Sequence, residues 1–125
     1  MTVSDNSASV LDIAAITSKL RRFANERDWN QYHSPKNLAM ALTVEAGELL
    51  EIFQWLTENQ SREPSQQQME QIRHEVADVM LYLIRLSDVL DINLEKALAD
   101  KMALNEQRYP ADKVKGSARK YTEYR

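Results

Sequence analysis

Two pairs of acidic residues lie three positions apart in segments whose apolar spacing predicts helices. The first pair is Glu45 and Glu48, and the second is Glu75 and Asp78. Residues at positions i and i+3 of a helix project side by side from one face. Carboxylate oxygens are the ligands that Mg²⁺ and other hard cations prefer. Each pair is therefore a candidate metal-binding site.

The apolar residues around each pair indicate which way the acids point. Glu45 falls at the centre of one apolar stripe, with Glu48 beside it, while Glu75 and Asp78 border a second stripe. The first stripe comprises Leu38, Leu42, Leu49, Ile52 and Leu56, and the second comprises Ile72, Val76, Val79, Leu83, Leu86 and Leu90. An ionised carboxylate on an apolar face is costly, and four facing carboxylates cannot all ionise unless a cation neutralises them. The pattern predicts a site for Mg²⁺, with Mn²⁺ as a substitute, rather than two solvated helix faces.

A ferritin-like di-iron bundle also gathers carboxylates between helices and is the main alternative metal site. Such bundles place a Glu-x-x-His motif on each of two helices. This chain has two histidines: His74 directly precedes Glu75, and His33 falls in a predicted loop. Neither forms the motif, which disfavours a redox centre.

Helices must position these acids, and the composition predicts an all-α fold. The 125 residues include two glycines and three prolines, and no segment alternates Val, Ile or Thr with polar residues. Start and stop signals predict four helices, which would form a four-helix bundle. They run from Ser9 to about Arg27, from Ser34-Pro35 to about Leu56, from Ser65 to about Leu90, and from Asn93 to Tyr109, ahead of Pro110. We expect a loop over 57–67 and tails over 1–8 and 111–125 of one domain spanning 1–125.

Charge and composition exclude several classes of protein. A formal net charge of −3 lacks the basic excess with which proteins usually bind nucleic-acid polymers. The absence of cysteine excludes thiol chemistry, disulfides and Cys-based zinc sites. No apolar run approaches the roughly 20 residues of a membrane span, and the N-terminal MTVSDNSASV does not resemble a secretory signal. We expect a cytoplasmic protein with neither a nucleic-acid polymer nor a membrane as partner.

The fourth predicted helix carries Lys101, Asn105 and Arg108 on one stripe, at i, i+4 and i+7. Cations in this arrangement suit a phosphate chain that metals do not fully neutralise. The same spacing also fits cations that simply stabilise the C-terminal end of the helix through its dipole, so both interpretations stay open.

The two tryptophans of the chain flank the second predicted helix. Trp55 lies one heptad beyond Glu48 and points from nearly the same face, where its ring would stack on a nucleobase. Trp29, with Tyr32 and His33, would form the opposite wall. The alternative is that each tryptophan simply belongs to the core.

The acid pairs and the segments around them resemble MazG-like all-α nucleotide pyrophosphohydrolases, and most of all their dCTP pyrophosphatase branch. Glu45-x-x-Glu48 followed by Glu75-x-x-Asp78 matches the E-x-x-E…E-x-x-D signature of the family. The segments that resemble the branch are ERDWNQYHSPKNLAMAL (26–42), EAGELLEIFQW (45–55), EVADVMLYLI (75–84), KMALNEQRYP (101–110) and KYTE (120–123). One departure is Leu20, which stands where the vertebrate-type dCTP enzymes have a histidine near the base.

The resemblance implies an assembly and a reaction. It implies tight dimers, commonly doubled to tetramers, and Mg²⁺-dependent hydrolysis of a (deoxy)nucleoside triphosphate, here dCTP or a modified dCTP, to monophosphate and pyrophosphate. By position, Glu45, Glu48, Glu75 and Asp78 would bind Mg²⁺, and Glu48 or Glu45 would be the general base. Tyr82, which falls between the acids of the second pair, joins the candidate substrate site. The other implied substrate contacts are Trp29, Asn30, Gln31, Tyr32, His33, Trp55, Lys101, Asn105, Arg108, Tyr109 and Lys120.

The third predicted helix also favours a homo-oligomer. Leu81 and Ile84 add apolar surface opposite or beside its core stripe, and a helix that is apolar on several faces needs burial beyond its own chain. Two alternatives to an enzyme remain. One is a metal- or nucleotide-binding sensor without turnover, and the other is a helical interaction module whose acids stabilise a subunit interface.

Overall fold

The computed structural model describes residues 9–124, and these residues form α-helices, 3-10 turns and loops without a strand. The predicted all-α class is confirmed. The α-helices are α1 (Ile13–Glu26), α2 (Pro35–Phe53), α3 (Glu58–Ser61), α4 (Gln66–Val89), α5 (Leu94–Arg108) and α6 (Ala111–Val114). Two 3-10 turns cover Asn30–Tyr32 and Tyr121–Tyr124. The predicted tail at 1–8 lies outside the described residues.

The chain divides into two compact units. The first extends to Asp91 and contains α1 to α4, and the second begins at Ile92 and contains α5, α6 and the second 3-10 turn. The fourth predicted helix is α5 and belongs to the second unit, so the four-helix bundle and the single domain stay predictions. Across residues 9–124, none of the helices is both long enough and apolar enough to cross a bilayer.

Side chains that cap the helices explain where most of them begin. The Oγ of Ser34 accepts the backbone N–H of Asn37 at 3.1 Å, and Pro35 occupies the first turn of α2. Ser65 caps α4 through a reciprocal pair with Gln68, whose Oε1 accepts the Ser65 N–H at 2.8 Å. These two predicted starts are confirmed, as is Asn93 at the start of α5.

Three of the predicted boundaries are wrong. The first helix begins at Ile13 rather than near Ser9, because the Asp12 carboxylate accepts the Ala15 N–H at 2.9 Å and caps it there. The second ends at Phe53 instead of Leu56. The segment 57–67 is not only a loop, since Thr57 and Gln60 form a capping box that starts α3. Short helical turns also occupy 111–114 and 121–124, within the segment expected to be a tail.

The packing of α4 corrects the stripe that the sequence predicts for it. Ile84, placed beside that stripe, is 1% exposed, whereas Val76 is 51% and Leu90 49% exposed. The reason is that α4 packs against both α2 and α1, so its buried surface covers two faces. The expectation that Ile84 adds to an oligomer surface is therefore wrong, because its own chain covers it. On α2 the prediction holds, with Leu38 2% exposed and the rest of its stripe partly buried.

The turn after α1 brings Trp29 back towards the helix. The backbone N–H of Trp29 donates to Ala24 O at 2.9 Å, and that of Asp28 donates to Asn25 O at 3.2 Å. These two bonds are the Schellman pattern, in which the residue after the cap adopts a left-handed backbone. Asp28 adopts it, with φ of 53°. The segment 29–33, which carries Trp29, Tyr32 and His33 and is called the aromatic segment below, thus begins at a fixed position against the end of α1.

Candidate active site

Three of the four predicted metal ligands converge between α2 and α4. Glu45, Glu48 and Glu75 each offer a carboxylate oxygen, and these oxygens lie within 4.8 Å of one another. Glu48 is exposed, whereas Glu45 and Glu75 are partly buried. Asp78 lies outside this group of three, but it is close enough to act electrostatically on Glu45. The packing of α4 on α2 therefore brings three of the four predicted ligands together and leaves Asp78 nearby.

Among residues 9–124, two carboxylate oxygens of this cluster are buried without the hydrogen-bond partner that a buried polar atom requires. Within the described part of the chain, Glu45 Oε2 and Glu75 Oε2 are buried without a hydrogen-bond donor. Burial, followed by the neighbouring acids Glu75, Glu48 and Asp78, raises the pKa of Glu45 to about 7. If Glu45 is protonated, its O–H can donate a hydrogen bond to a neighbouring carboxylate. Alternatively, a bound cation would neutralise the same oxygens, and all the acids could then stay ionised. Oxygen atoms without partners and the absence of sulfur or imidazole fit Mg²⁺ or Mn²⁺.

A cavity of about 420 Å³ is lined by residues of α1, of the aromatic segment (29–33) and of α4. Asp78 lines it together with three of the predicted substrate contacts, which are Trp29, His33 and Tyr82. The rest of its lining is Lys19, Leu20, Phe23, Leu81 and Arg85. The Phe23 and Trp29 rings meet edge to face with centroids 5.6 Å apart. An apolar aromatic wall that ends at a carboxylate suits a ligand with a flat ring and a charged tail.

A second, more open cleft of about 390 Å³ lies beside Glu48 and Glu75. Its other lining residues are Glu51, Ile52 and Gln71. Glu51 continues the i, i+3 series of Glu45 and Glu48 on α2, which is the signal by which the sequence would have indicated it. The acids therefore border both the aromatic cavity, through Asp78, and this cleft.

Four other predicted substrate contacts of the first unit do not line the cavity. The amide of Gln31 donates to Asp28 O at 3.0 Å, and Asn30 is hydrogen-bonded to Asn25 and Arg85. Tyr32 is 60% exposed and Trp55 is 87% exposed. Their contacts with substrate stay predictions.

The residues predicted to contact sugar and phosphate belong to the second unit. Lys101, Asn105 and Arg108 lie on α5, Tyr109 caps its end, and Lys120 precedes the second 3-10 turn. Their predicted contacts with sugar and phosphate also stay predictions.

Sequence reasoning missed Arg85, which lines the cavity from α4. Its guanidinium donates to His33, Asn30 and Asp88, and the side chains of Arg85 and Asp88 are each 11% exposed. The spacing of Arg85 and Asp88 suggests an ordinary i, i+3 ion pair. The partners 52 and 55 positions away have no signal in a single sequence.

Comparison with known proteins agrees with this arrangement of helices and acids. A family model described as the MazG-like family matches residues 40–124, a segment that includes both acid pairs. The chain belongs to the MazG-like family. The resemblance on which the sequence prediction rests is thereby confirmed.

Named relatives of this MazG-like chain include dCTP pyrophosphatase 1 of Homo sapiens, 43% identical over 103 residues, and that of Bos taurus, 40% identical over 103 residues. The aligned region covers 81% of this chain and 61% of the human protein. The chain thus spans about three fifths of the length of the curated relatives it matches. A crystal structure of a pyrophosphatase from Archaeoglobus fulgidus is 39% identical with a TM-score of 0.75, covering 82% of this chain and 95% of that one. The all-helical fold is therefore that of a MazG-like pyrophosphatase.

Proposed function

We propose that the protein hydrolyses (deoxy)nucleoside triphosphates with Mg²⁺, releasing nucleoside monophosphate and pyrophosphate. The proposed substrate is dCTP or a modified dCTP, and the cellular role is control or cleaning of the nucleotide pool. The names of the relatives support a triphosphate substrate and this base. The cytoplasmic location expected from the sequence is part of the same proposal.

The observation that carries this proposal is the cluster of carboxylates between α2 and α4, together with their neighbour Asp78, which lines an aromatic cavity. Glu45, Glu48 and Glu75 bring their oxygens within 4.8 Å of one another, and Asp78 lines the cavity. These four residues would hold Mg²⁺. When bound, the cation neutralises charge on the phosphates and lowers the pKa of a coordinated water.

Glu48 is the general base that we favour, with Glu45 as the alternative. Glu48 is exposed and lines the open cleft, where a water molecule has access. Its carboxylate would accept the proton of the water that attacks the α-phosphorus, and the oxygen that bridges the α and β phosphates would leave with pyrophosphate. Glu45 is more enclosed and lacks a donor for one of its oxygens, which suits a cation ligand better.

The cavity residues would bind the nucleoside. The ring of Trp29 offers a stacking surface, and Tyr82 and His33 add polar atoms beside the apolar side chains of the wall. Leu20 also lines this cavity, so the position at which the sequence departs from the vertebrate-type enzymes faces the proposed base. Lys101, Asn105, Arg108, Tyr109 and Lys120 would contact sugar and phosphates, where cations stabilise the departing charge.

We also propose that the chain forms a four-helix bundle and acts as a dimer or a dimer of dimers. Large apolar side chains are exposed on α2, where Val44 is 58% and Leu50 62% exposed. On α4, Val76 is 51% and Met80 38% exposed. Burial of these side chains by a second copy would remove apolar surface from water.

The test is a product analysis by ³¹P NMR with dCTP, dTTP, dATP, dGTP and 5-substituted dCTPs in the presence of Mg²⁺. We expect pyrophosphate and monophosphate in equal amounts, fastest with dCTP or a 5-substituted dCTP, and at least a hundredfold less with Glu48→Gln or Glu45→Gln. Glu63→Gln, at an exposed acid before α4, is the matched control. Orthophosphate and nucleoside diphosphate as products, or equal rates in wild type and both cluster variants, would refute the proposal.

A further inference from the structure

The guanidinium of Arg85 holds three acceptors that come from two parts of the chain. Its Nε donates to His33 Nδ1 at 3.1 Å, and its Nη2 donates to Asn30 Oδ1 at 2.8 Å. Its Nη1 donates to Asp88 Oδ2 at 3.1 Å. Because Arg85 and Asp88 are largely buried, this network forms a fixed connection between α4 and the segment after α1.

Arg21 of α1 also forms an ion pair with Asp88. Its Nε donates to Asp88 Oδ2 at 2.8 Å, and its Nη2 pairs with Asp88 Oδ1. The hydrogen bond from Arg21 and the charges of Arg21 and Arg85 lower the pKa of the Asp88 carboxyl. Asp88 is therefore ionised at neutral pH and orients the Arg85 guanidinium.

His33 accepts the Arg85 hydrogen bond at Nδ1, and this determines which ring nitrogen of His33 carries the proton. A guanidinium only donates, so the imidazole nitrogen that faces it must be unprotonated. A neutral imidazole then carries its proton on Nε2. Burial, followed by the charge of Arg85, lowers the pKa of His33 and keeps the ring neutral at pH 7. Nε2–H is thus the donor that His33 has left for a ligand.

His33 introduces this donor into a cavity whose wall is largely apolar. Leu20, Phe23, Trp29 and Leu81 line the same space. Both polar atoms of the neighbouring Asn30 side chain have partners, since its Oδ1 accepts from Arg85 and its Nδ2 donates to Asn25 at 3.3 Å. These bonds fix the position of the segment that carries His33.

We propose that Arg85 is a positioning residue that fixes His33 as its Nε2–H tautomer, so that Nε2 donates to an acceptor on the nucleotide base. This inference rests on the proposed function. The ligand class is a base whose edge carries a carbonyl oxygen or an unprotonated ring nitrogen, as cytosine does at O2 and N3. Beside the apolar side chains of this cavity, an oriented donor at His33 favours flat rings that present an acceptor at that position.

The tautomer is tested first, on the whole chain labelled with ¹⁵N and without nucleotide. Long-range ¹H–¹⁵N NMR at pH 7 is expected to show a protonated Nε2 and an unprotonated Nδ1 for His33. His33→Asn identifies its signals, since the chain has one other histidine. In Arg85→Gln we expect the preference for Nε2–H to be lost. In Arg21→Gln we expect it to stay, because this exposed residue touches Asp88 and not His33. A wild-type His33 with its proton on Nδ1 would overturn the proposal.

Kinetics then test the contact with the base. Loss of one oriented hydrogen bond predicts a KM for dCTP about tenfold higher in His33→Phe and in Arg85→Gln, with kcat within about twofold of wild type. His33→Gln places an amide N–H near the former Nε2 and is expected to restore part of the KM. Should Arg85→Gln fail to fold, the two His33 variants decide the question. An unchanged KM in His33→Phe, or a loss confined to kcat, would overturn the role of His33.

The two proposals fail in different ways. Absence of pyrophosphate release by the wild-type protein refutes the proposed function. The NMR experiment needs no nucleotide and reports directly whether Arg85 fixes the tautomer, so a refuted tautomer leaves the hydrolase proposal intact.

Discussion

At the residue scale, the acids of α2 and α4 carry an electrostatic cost that metal-free protein relieves by binding a proton. Glu45 shows this cost, because burial and three neighbouring acids raise its pKa to about 7, from the ordinary 4.5. A cation would relieve it with every acid ionised. The same property that makes the cluster a candidate catalytic site therefore makes it sensitive to pH and to metal.

The pH dependence of stability follows from the sign of this shift. A carboxyl with a raised pKa in the folded state retains its proton there after the unfolded chain has lost it. For metal-free protein, the free energy of unfolding should therefore fall as pH rises from about 4.5 to about 7. Thermal melts across this range should show a melting temperature that falls with pH in wild type, with a much smaller slope in Glu45→Gln. Saturating Mg²⁺ should flatten it, because a cation favours ionised carboxylates.

Glu63→Gln serves as the control for these melts, since it removes an exposed acid from the segment before α4. We expect its slope to equal that of wild type. Equal slopes in wild type and Glu45→Gln would show that Glu45 does not hold the proton.

The sequence predicts the acids well and the base pocket poorly, for a physical reason. A carboxylate at the centre of an apolar stripe is an anomaly within one helix, so Glu45 is visible from local spacing alone. The role of Arg85 depends on His33 and Asn30, which lie 52 and 55 positions away. Trp29 and Trp55 look alike in sequence, but only Trp29 lines the described cavity.

At the element scale, capping signals predict where helices begin more reliably than stripes predict how they pack. Ser34 and Ser65 cap the helices that they were expected to cap. Thr57 and Gln60 form a capping box of the same kind, but they lie in a segment whose polar composition predicts a loop. The apolar stripe predicted for α4 covers only part of its buried surface. A single stripe is expected of a helix that packs against one neighbour, whereas α4 packs against both α2 and α1.

The cap of α4 gives a prediction about its stability. Ser65→Ala removes the acceptor of the Gln68 N–H and should lower the free energy of unfolding by about 1 kcal/mol. Ser65→Thr keeps a hydroxyl acceptor and should cost only a few tenths of that. Urea denaturation at fixed pH measures both, and an unchanged midpoint in Ser65→Ala would contradict the capping role.

At the scale of the whole molecule, exposed apolar side chains favour assembly. The oligomer was expected partly from Ile84, which the chain itself buries, but Leu50 on α2 and Met80 on α4 supply other apolar surface. Burial of such side chains is worth about 25 cal/mol per Å² of apolar area. A dimer would not be visible within one chain, because its contacts would be between copies.

Sedimentation velocity tests this assembly. We expect wild type to sediment as a dimer or tetramer, and Leu50→Lys to shift the equilibrium towards smaller species, because a desolvated charge in the interface is costly. Ser18→Lys adds the same charge at an exposed polar position of α1 and should leave the distribution unchanged. A wild-type monomer at all concentrations would contradict the proposed assembly.

The claim on which the whole account depends is that the acids of α2 and α4 bind a divalent cation. Titration with Mn²⁺, followed by the EPR signal of the free ion, measures this directly in the intact protein. We predict saturable binding by wild type and by Glu63→Gln, and binding at least about tenfold weaker in Glu75→Gln, which removes one charge from the cluster. Equal affinities of wild type and Glu75→Gln for Mn²⁺ would contradict the account.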